Sequence, residues 1–155
     1  MTEKTSTFVV THAAEDSAVL QDAADSQVHT LESNPDLEPM AVVEATLEAV
    51  PPMEATWEVT DVAETWTVSV ERSAEAPTTQ AREAAAAQAE GELTRIERAG
   101  TGEVHVITVP AATTEQAAAD VLDDEGGLVA RAARLGVGRV EVRAGDGVVS
   151  VRYLP

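Results

Sequence analysis

Three histidines are the residues best suited to metal binding or acid–base chemistry in this chain, which has no cysteine. His12 and His29 fall in two segments with strand character and have Asp and Glu nearby, a combination that can bind a metal ion. Neither belongs to an H-x-x-H or H-E-x-x-H motif, so we expect ordinary strand histidines and no metal. His105 shares one face of a predicted strand with Ile107 and Val109. We expect a buried or interfacial histidine there rather than a catalytic base.

Enzyme signatures are absent from the sequence. There is no G-x-S-x-G elbow, no P-loop and no G-x-G-x-x-G fingerprint. The segment Gly136-Val137-Gly138 follows a predicted helix and precedes a predicted strand, which is the wrong context for a phosphate-binding loop. With 28 acidic residues, neighbouring carboxylates are too common to indicate a catalytic pair. We therefore favour a protein that acts by binding rather than by catalysis and that has no cofactor, and an enzyme of unrecognised type stays open as the third alternative.

The arginines near the C-terminus are better placed for binding. Strand alternation places Arg139 and Arg143 on one face of a predicted hairpin, and Arg152 on the face opposite its neighbouring valines. If the valine faces turn inward, the three arginines converge on a solvent-facing patch away from the helices. Guanidinium groups bind phosphates bidentately, so the first hypothesis is an adaptor that binds RNA or a ribonucleoprotein. In the alternative, these arginines pair with Glu141 and Glu103, and the protein binds another protein without nucleic acid.

The net charge of −18 bears on both hypotheses. Residues 1–71 hold 15 acidic residues and one basic residue, net −14, while residues 72–155 hold 13 acidic residues and nine arginines, net −4. The field of the whole chain repels phosphate, and two Trp, one Tyr and one Phe offer little surface on which bases could stack. These features argue against a role in RNA binding.

The composition also indicates a cellular setting. A single lysine, many small apolar residues and dispersed carboxylates favour a folded protein of a high-salt cytoplasm over a disordered chain or a nucleic-acid mimic. The N-terminal MTEKTST has no hydrophobic segment behind it, and no apolar run is long enough to span a bilayer. We therefore expect a cytoplasmic protein with no membrane partner.

The element pattern predicts an α+β protein in two parts. In residues 1–72, short Val-rich segments at close spacing indicate a small antiparallel β-barrel of the OB or SH3 kind. The predicted strands are 6–12, 17–22, 26–31, 42–48, 56–62 and 65–71.

Residues 73–155 are predicted to form an α/β two-layer sandwich of (β)αβαββ order, which ends in a β-hairpin. Its first element is a long helix, 77–99, that begins at a Thr78 or Thr79 N-cap and has a mostly alanine face. Strand 65–71 either supplies the bracketed strand or completes the barrel. In the first case the element order resembles that of the chromatin protein Alba and of the C-terminal domain of bacterial translation initiation factor 3, and both of these families bind nucleic acid.

Three segments carry a resemblance that covers most of the chain: TFVVTHAAEDSAVL, PTTQAREAAAAQAEGE, and RLGVGRVEVR with GVVSVRYLP. They resemble an uncharacterised family of haloarchaeal proteins. The resemblance implies a salt-rich cytoplasm and supplies no activity.

Overall fold

The computed structural model describes residues 2–155, which form two five-stranded sheets and three α-helices. The predicted mixed α+β class is confirmed. The chain divides into two compact units, of which the first ends at Val68 and the second begins at Ser69. Among the described residues, no helix combines the length and the apolar character needed to cross a membrane.

The first unit is a closed sheet with the strand order β1-β2-β3-β5-β4, antiparallel except where β3 and β5 run parallel. Alternate residues point inward, as expected for a sheet with one buried face. The interior holds Phe8, Leu20, Leu31, Val43 and Leu47, none more than 1% exposed. The strands are β1 (Glu3–Ala13), β2 (Ala18–Asp22), β3 (Val28–Leu31), β4 (Val42–Ala49) and β5 (Trp57–Trp66).

The predicted break between strands 56–62 and 65–71 is not present in the structure, so this prediction is wrong. β5 runs without a break through Ala63 and Glu64, because Thr60 and Ala63 are accommodated as irregularities in the pairing with β4. The segment 65–71 is shared between the two units, since β5 ends at Trp66 and the next strand begins at Ser69.

The second unit is a five-stranded sheet in the order β6-β9-β10-β8-β7, in which only β6 and β9 are parallel. The predicted hairpin between the last two strands is present, and its turn contains Asp146 and Gly147. The elements are β6 (Ser69–Arg72), α1 (Thr79–Ala86), β7 (Leu93–Glu97), β8 (Glu103–Thr108), α2 (Thr114–Asp123), α3 (Glu125–Leu135), β9 (Arg139–Gly145) and β10 (Val148–Leu154).

The predicted helix 77–99 is correct at its start and wrong at its end. Thr78 is the N-cap, and its side chain accepts a hydrogen bond from the main-chain N of Ala81. The helix ends at Ala86, and the segment that follows the positive-φ residue Gly91 is strand β7. Pairing with β8 gives this segment main-chain hydrogen bonds and packs Ile96 against the core. A longer helix with a mostly alanine face would bury less apolar surface than this strand does.

The predicted two-layer arrangement is also wrong, because helices cover both faces of the second sheet. Helix α1 packs through Ala81 and Ala85 on the face that carries Val106 and Val148. The opposite face of the sheet carries the fully buried valines of β9 and β10. Helices α2 and α3, which contact β9, cover this face. The unit is therefore three layers, with the element order βαββααββ rather than the βαβαββ order of the Alba comparison.

Candidate functional site

The structure brings the three predicted arginines together around one carboxylate. Glu141 lies between Arg139 and Arg143 on β9, and Arg152 is its direct partner on the neighbouring strand β10. The four side chains therefore share one sheet face. Oε2 of Glu141 lies 3.3 Å from Nη2 of Arg139, and Oε1 lies 2.5 Å from Nε of Arg143 and 3.2 Å from Nε of Arg152.

Burial of Glu141 explains part of this arrangement. The side chain is 9% exposed, and a carboxylate removed from water is costly unless cations and hydrogen-bond donors compensate it. Two of the arginines have second partners: Arg139 lies 3.8 Å from Glu71, and Arg143 lies 2.8 Å from Glu75. The predicted pairing with Glu141 is present. The predicted pairing with Glu103 is not found among residues 2–155, where Glu103 lies against His105 instead.

The three arginines do not form the open patch that the alternation predicts. Helix α1 packs on the same face of the sheet, and the side chains of Arg143 and Arg152 are only 15% and 21% exposed. Arg139, at 48%, is the most exposed of the three. The prediction that they project away from every helix is wrong, because α1 packs on the sheet face that carries them.

Arg152 has fewer partners than its two neighbours. Its buried Nε lies near Glu141 but makes no hydrogen bond, and no other carboxylate of the described residues lies within 4.0 Å of the guanidinium. Burial lowers the pKa of Arg152, and the positive charge of Arg143 adds to this shift, while the negative charge of Glu141 opposes it. A guanidinium in this position has donors available for a further anionic or carbonyl group.

A groove of about 420 Å³ passes Arg152. Arg98 also lines it, and Nη1 of Arg98 donates a 2.7 Å hydrogen bond to the carbonyl oxygen of Thr101. The start of α1 contributes Thr78 and Gln80. The apolar lining comes from both the helix and the strands, and one carboxylate, Glu97, is also present. The remaining lining residues are Ala81, Ile96, Ala99 and Val104.

Sequence reasoning missed this groove because it placed Arg98 on a helix. The two-residue period of LTRIER could have indicated the groove. In it, Thr94, Ile96 and Arg98 alternate with an exposed leucine and two exposed charged residues. Read as a strand, this segment directs Arg98 toward the face that carries Arg152. The same reading would have indicated that α1 is short.

The histidines remain separate from one another. His12 is exposed on β1, while His29 is buried on β3, with its ring centroid 5.5 Å from that of Phe8 and 5.0 Å from that of Trp57. No group of three or more His, Cys, Asp or Glu within residues 2–155 is arranged to hold a metal ion. Burial lowers the pKa of His29.

His105 lies on the sheet face opposite the arginines. It is 6% exposed, its Nε2 is 2.8 Å from Oε1 of Glu103, and its ring packs against Tyr153 with the centroids 5.0 Å apart. Burial lowers the pKa of His105, and the hydrogen bond with Glu103 opposes that shift. Nearby Arg131 of α3 acts in the same direction as burial. The expected core histidine is found, with a hydrogen-bond partner.

Comparison with known proteins gives one similarity. A family model described as "Family of unknown function (DUF5812)" matches residues 4–144. No curated protein and no solved structure matches the chain.

Proposed function

Since the chain belongs to this family of unknown function, we propose from its own residues that it is a non-enzymatic binding protein, an adaptor that associates with RNA or a ribonucleoprotein. The observation that carries the proposal is the guanidinium of Arg152, which has spare donors beside a groove that also contains Arg98. Two guanidinium groups at one groove suit a phosphate group, because charge-assisted, bidentate hydrogen bonds to phosphate are strong and directional.

The charge balance around the groove limits the contact to about one phosphate. Glu141, Glu71 and Glu75 take up much of the positive charge of Arg139 and Arg143. An RNA backbone laid along this face would therefore meet few free cations. A single phosphate that enters the groove meets Arg152 and Arg98 and avoids most of the acidic surface.

For the first unit we propose the OB type of barrel rather than the SH3 type. Two features support this proposal: the strand order β1-β2-β3-β5-β4, and the parallel contact of β3 with β5, which is only one residue pair long. Both are typical of a five-stranded, partly open barrel. Such barrels often bind oligonucleotides, which is an analogy of fold alone. Residues 1–68 carry 14 acidic residues and one lysine, so we assign the phosphate contact to the second unit.

A partner protein without nucleic acid is the second candidate. It is favoured by the ion pairs of Arg139 and Arg143, which are the contacts expected of structural arginines. In both cases we propose a cytoplasm of high salt concentration as the setting, because the acidic residues of a chain with a formal net charge of −18 repel one another less where salt screens them.

The proposal is tested by capture of the tagged protein from a high-salt lysate, with and without ribonuclease. We expect RNA to copurify with the wild-type chain, and we expect the double variant Arg98→Gln, Arg152→Gln to lose it. The matched control is the double variant Arg82→Gln, Arg95→Gln, at two exposed positions that lie outside the groove. Copurified protein that is insensitive to ribonuclease, with no RNA, would favour the second candidate and refute the first.

A further inference from the structure

Strand β5 has a neighbour along only part of its length. On one side it pairs with β4 from Trp57 to Trp66, while on the other side it meets β3 at a single pair, Leu31 with Trp57. Within residues 2–155, no other main-chain hydrogen bond outside the pairing with β4 involves the segment 58–65. Along these eight residues, the main-chain N–H and C=O groups that point away from β4 therefore have no strand of the described residues beside them.

This edge is accessible. Every residue from 58 to 65 except Val59 is exposed, and Val62 is 44% exposed although it is a large apolar side chain. Exposed strand edges template the addition of another strand, and proteins usually blunt them with charges or bulges. β5 has both devices, since its pairing with β4 is irregular at Thr60 and Ala63 and three of its side chains are carboxylates.

The carboxylates show which kind of strand the edge would accept. Glu58, Asp61 and Glu64 carry the negative charge of β5, and two of them face another glutamate directly across β4: Glu48 is opposite Glu58, and Glu44 is opposite Glu64. Like charges placed directly opposite destabilise a sheet.

Among the described residues, no cation relieves this repulsion. None of the five carboxylates has an ion pair with a described residue, and Lys4, the only lysine, has its Nζ 3.0 Å from Asp22 and 2.9 Å from Asp25. A second copy of this chain would bring the same three carboxylates to the edge and be repelled. A segment with Lys or Arg at alternate positions would pair its main chain with β5 and neutralise the carboxylates.

We propose that the free edge of β5, residues 58–65, is a docking site for an extended basic segment of another protein, which adds as a strand beside β5. The main chain of that segment supplies the pairing. The three carboxylates select its charge, and Val62 offers one apolar contact. This site is on the first unit and does not depend on the proposed phosphate contact of the second.

The test uses the full chain and an eight-residue peptide of alternating Lys and Val, in the lowest KCl concentration at which the protein stays folded. Two further peptides isolate the two requirements: one with Glu in place of Lys, and one with the same Lys-Val sequence but alternate main-chain nitrogens methylated. We expect the Lys-Val peptide to bind and to slow the hydrogen exchange of amides within residues 58–65. The Glu peptide and the methylated peptide should bind at least about tenfold more weakly.

A matched pair of triple variants checks the location. Glu58→Gln, Asp61→Asn, Glu64→Gln should weaken binding of the Lys-Val peptide about tenfold, which is the effect of three partly exposed ion pairs. Glu15→Gln, Asp16→Asn, Glu38→Gln removes the same charge from exposed loop positions of the same unit and should leave binding within about twofold. Equal weakening by both triples, equal binding of the methylated peptide, or unchanged exchange at residues 58–65 would each overturn the proposal.

Discussion

Glu141 and Arg152 face each other directly across β9 and β10, with Oε1 of the glutamate 3.2 Å from Nε of the arginine. The glutamate is shared with two further arginines, while the arginine has no other carboxylate partner among the described residues. The carboxylate is thus fully compensated and the guanidinium is not. This asymmetry separates the structural part of the cluster from the part available for binding.

The change Glu141→Gln is expected to destabilise the second unit. It leaves three guanidinium groups close together, two of them largely buried, without their shared counter-charge. Breaking such a buried network costs about 1–3 kcal/mol of unfolding free energy once the partial exposure of the arginines is considered. Urea denaturation measures it, with Glu97→Gln, an exposed carboxylate on β7, as control. A loss below about 0.5 kcal/mol would show that the cluster is ordinary surface.

The assignment of residues 93–97 to a strand is tested by two apolar truncations. Ile96 packs against the cluster beneath α1, whereas Leu93 is 46% exposed. We expect Ile96→Ala to lower the unfolding free energy by about 1–3 kcal/mol and Leu93→Ala by less than about 0.5 kcal/mol. Similar losses for both substitutions would contradict the strand assignment.

Stability is expected to fall as the pH drops through the range just below 6.5. Burial lowers the pKa of both His29 and His105 from the ordinary 6.5, so between the folded and unfolded pKa values the unfolded chain binds more protons. Stability from this source is complete above the unfolded pKa and declines below it. Thermal unfolding from pH 7.5 to 5 measures the decline.

Substitution of His105 isolates its share of this pH dependence. The variant His105→Gln should reduce the decline, whereas His12→Gln, at an exposed position, should leave it as in the wild type. A decline that is unchanged in His105→Gln would show that this histidine does not contribute.

Salt is expected to stabilise the first unit because its outer face carries a ladder of like charges. Glu3, Glu48 and Glu58 lie directly opposite one another across β1, β4 and β5. The screening length falls from about 10 Å at 0.1 M salt to about 3 Å at 1 M, so the melting temperature should rise with KCl.

The middle glutamate of the ladder provides the variant. Glu48→Gln should raise the stability at 0.1 M KCl by about 0.2–1 kcal/mol and have a smaller effect at 1 M. Glu38→Gln, in an exposed loop, is the control. Equal effects of the two substitutions would argue against the ladder as the source of salt dependence.

The sequence predicted those features that depend on local patterns. The strand alternation that separates Arg139 and Arg143 from their neighbouring valines is present, as are the Thr78 cap and the hairpin turn at Asp146. Each of these depends on a few adjacent residues, so the pattern is visible without knowledge of the tertiary structure.

The features that the sequence did not predict depend on long-range pairing. The alanine-rich stretch before Gly91 favours helix on propensity, yet Leu93–Glu97 gains more from pairing with β8. That one error concealed Arg98, the groove beside α1 and the helix on the arginine face. The edge of β5 was hidden for a similar reason, because only the pairing of β3 with Trp57 shows where its neighbour ends.

The proposed phosphate contact of Arg152 is tested most directly by fluorescence anisotropy with a labelled single-stranded RNA over a series of KCl concentrations. We predict saturable binding by the wild type. The change Arg152→Gln should weaken it about five- to tenfold and reduce the salt slope by about 0.7, the value for one phosphate contact on a single strand. Arg82→Gln should bind as the wild type does. Wild-type binding that is absent, or that persists unchanged in affinity and salt slope in Arg152→Gln, would contradict the account.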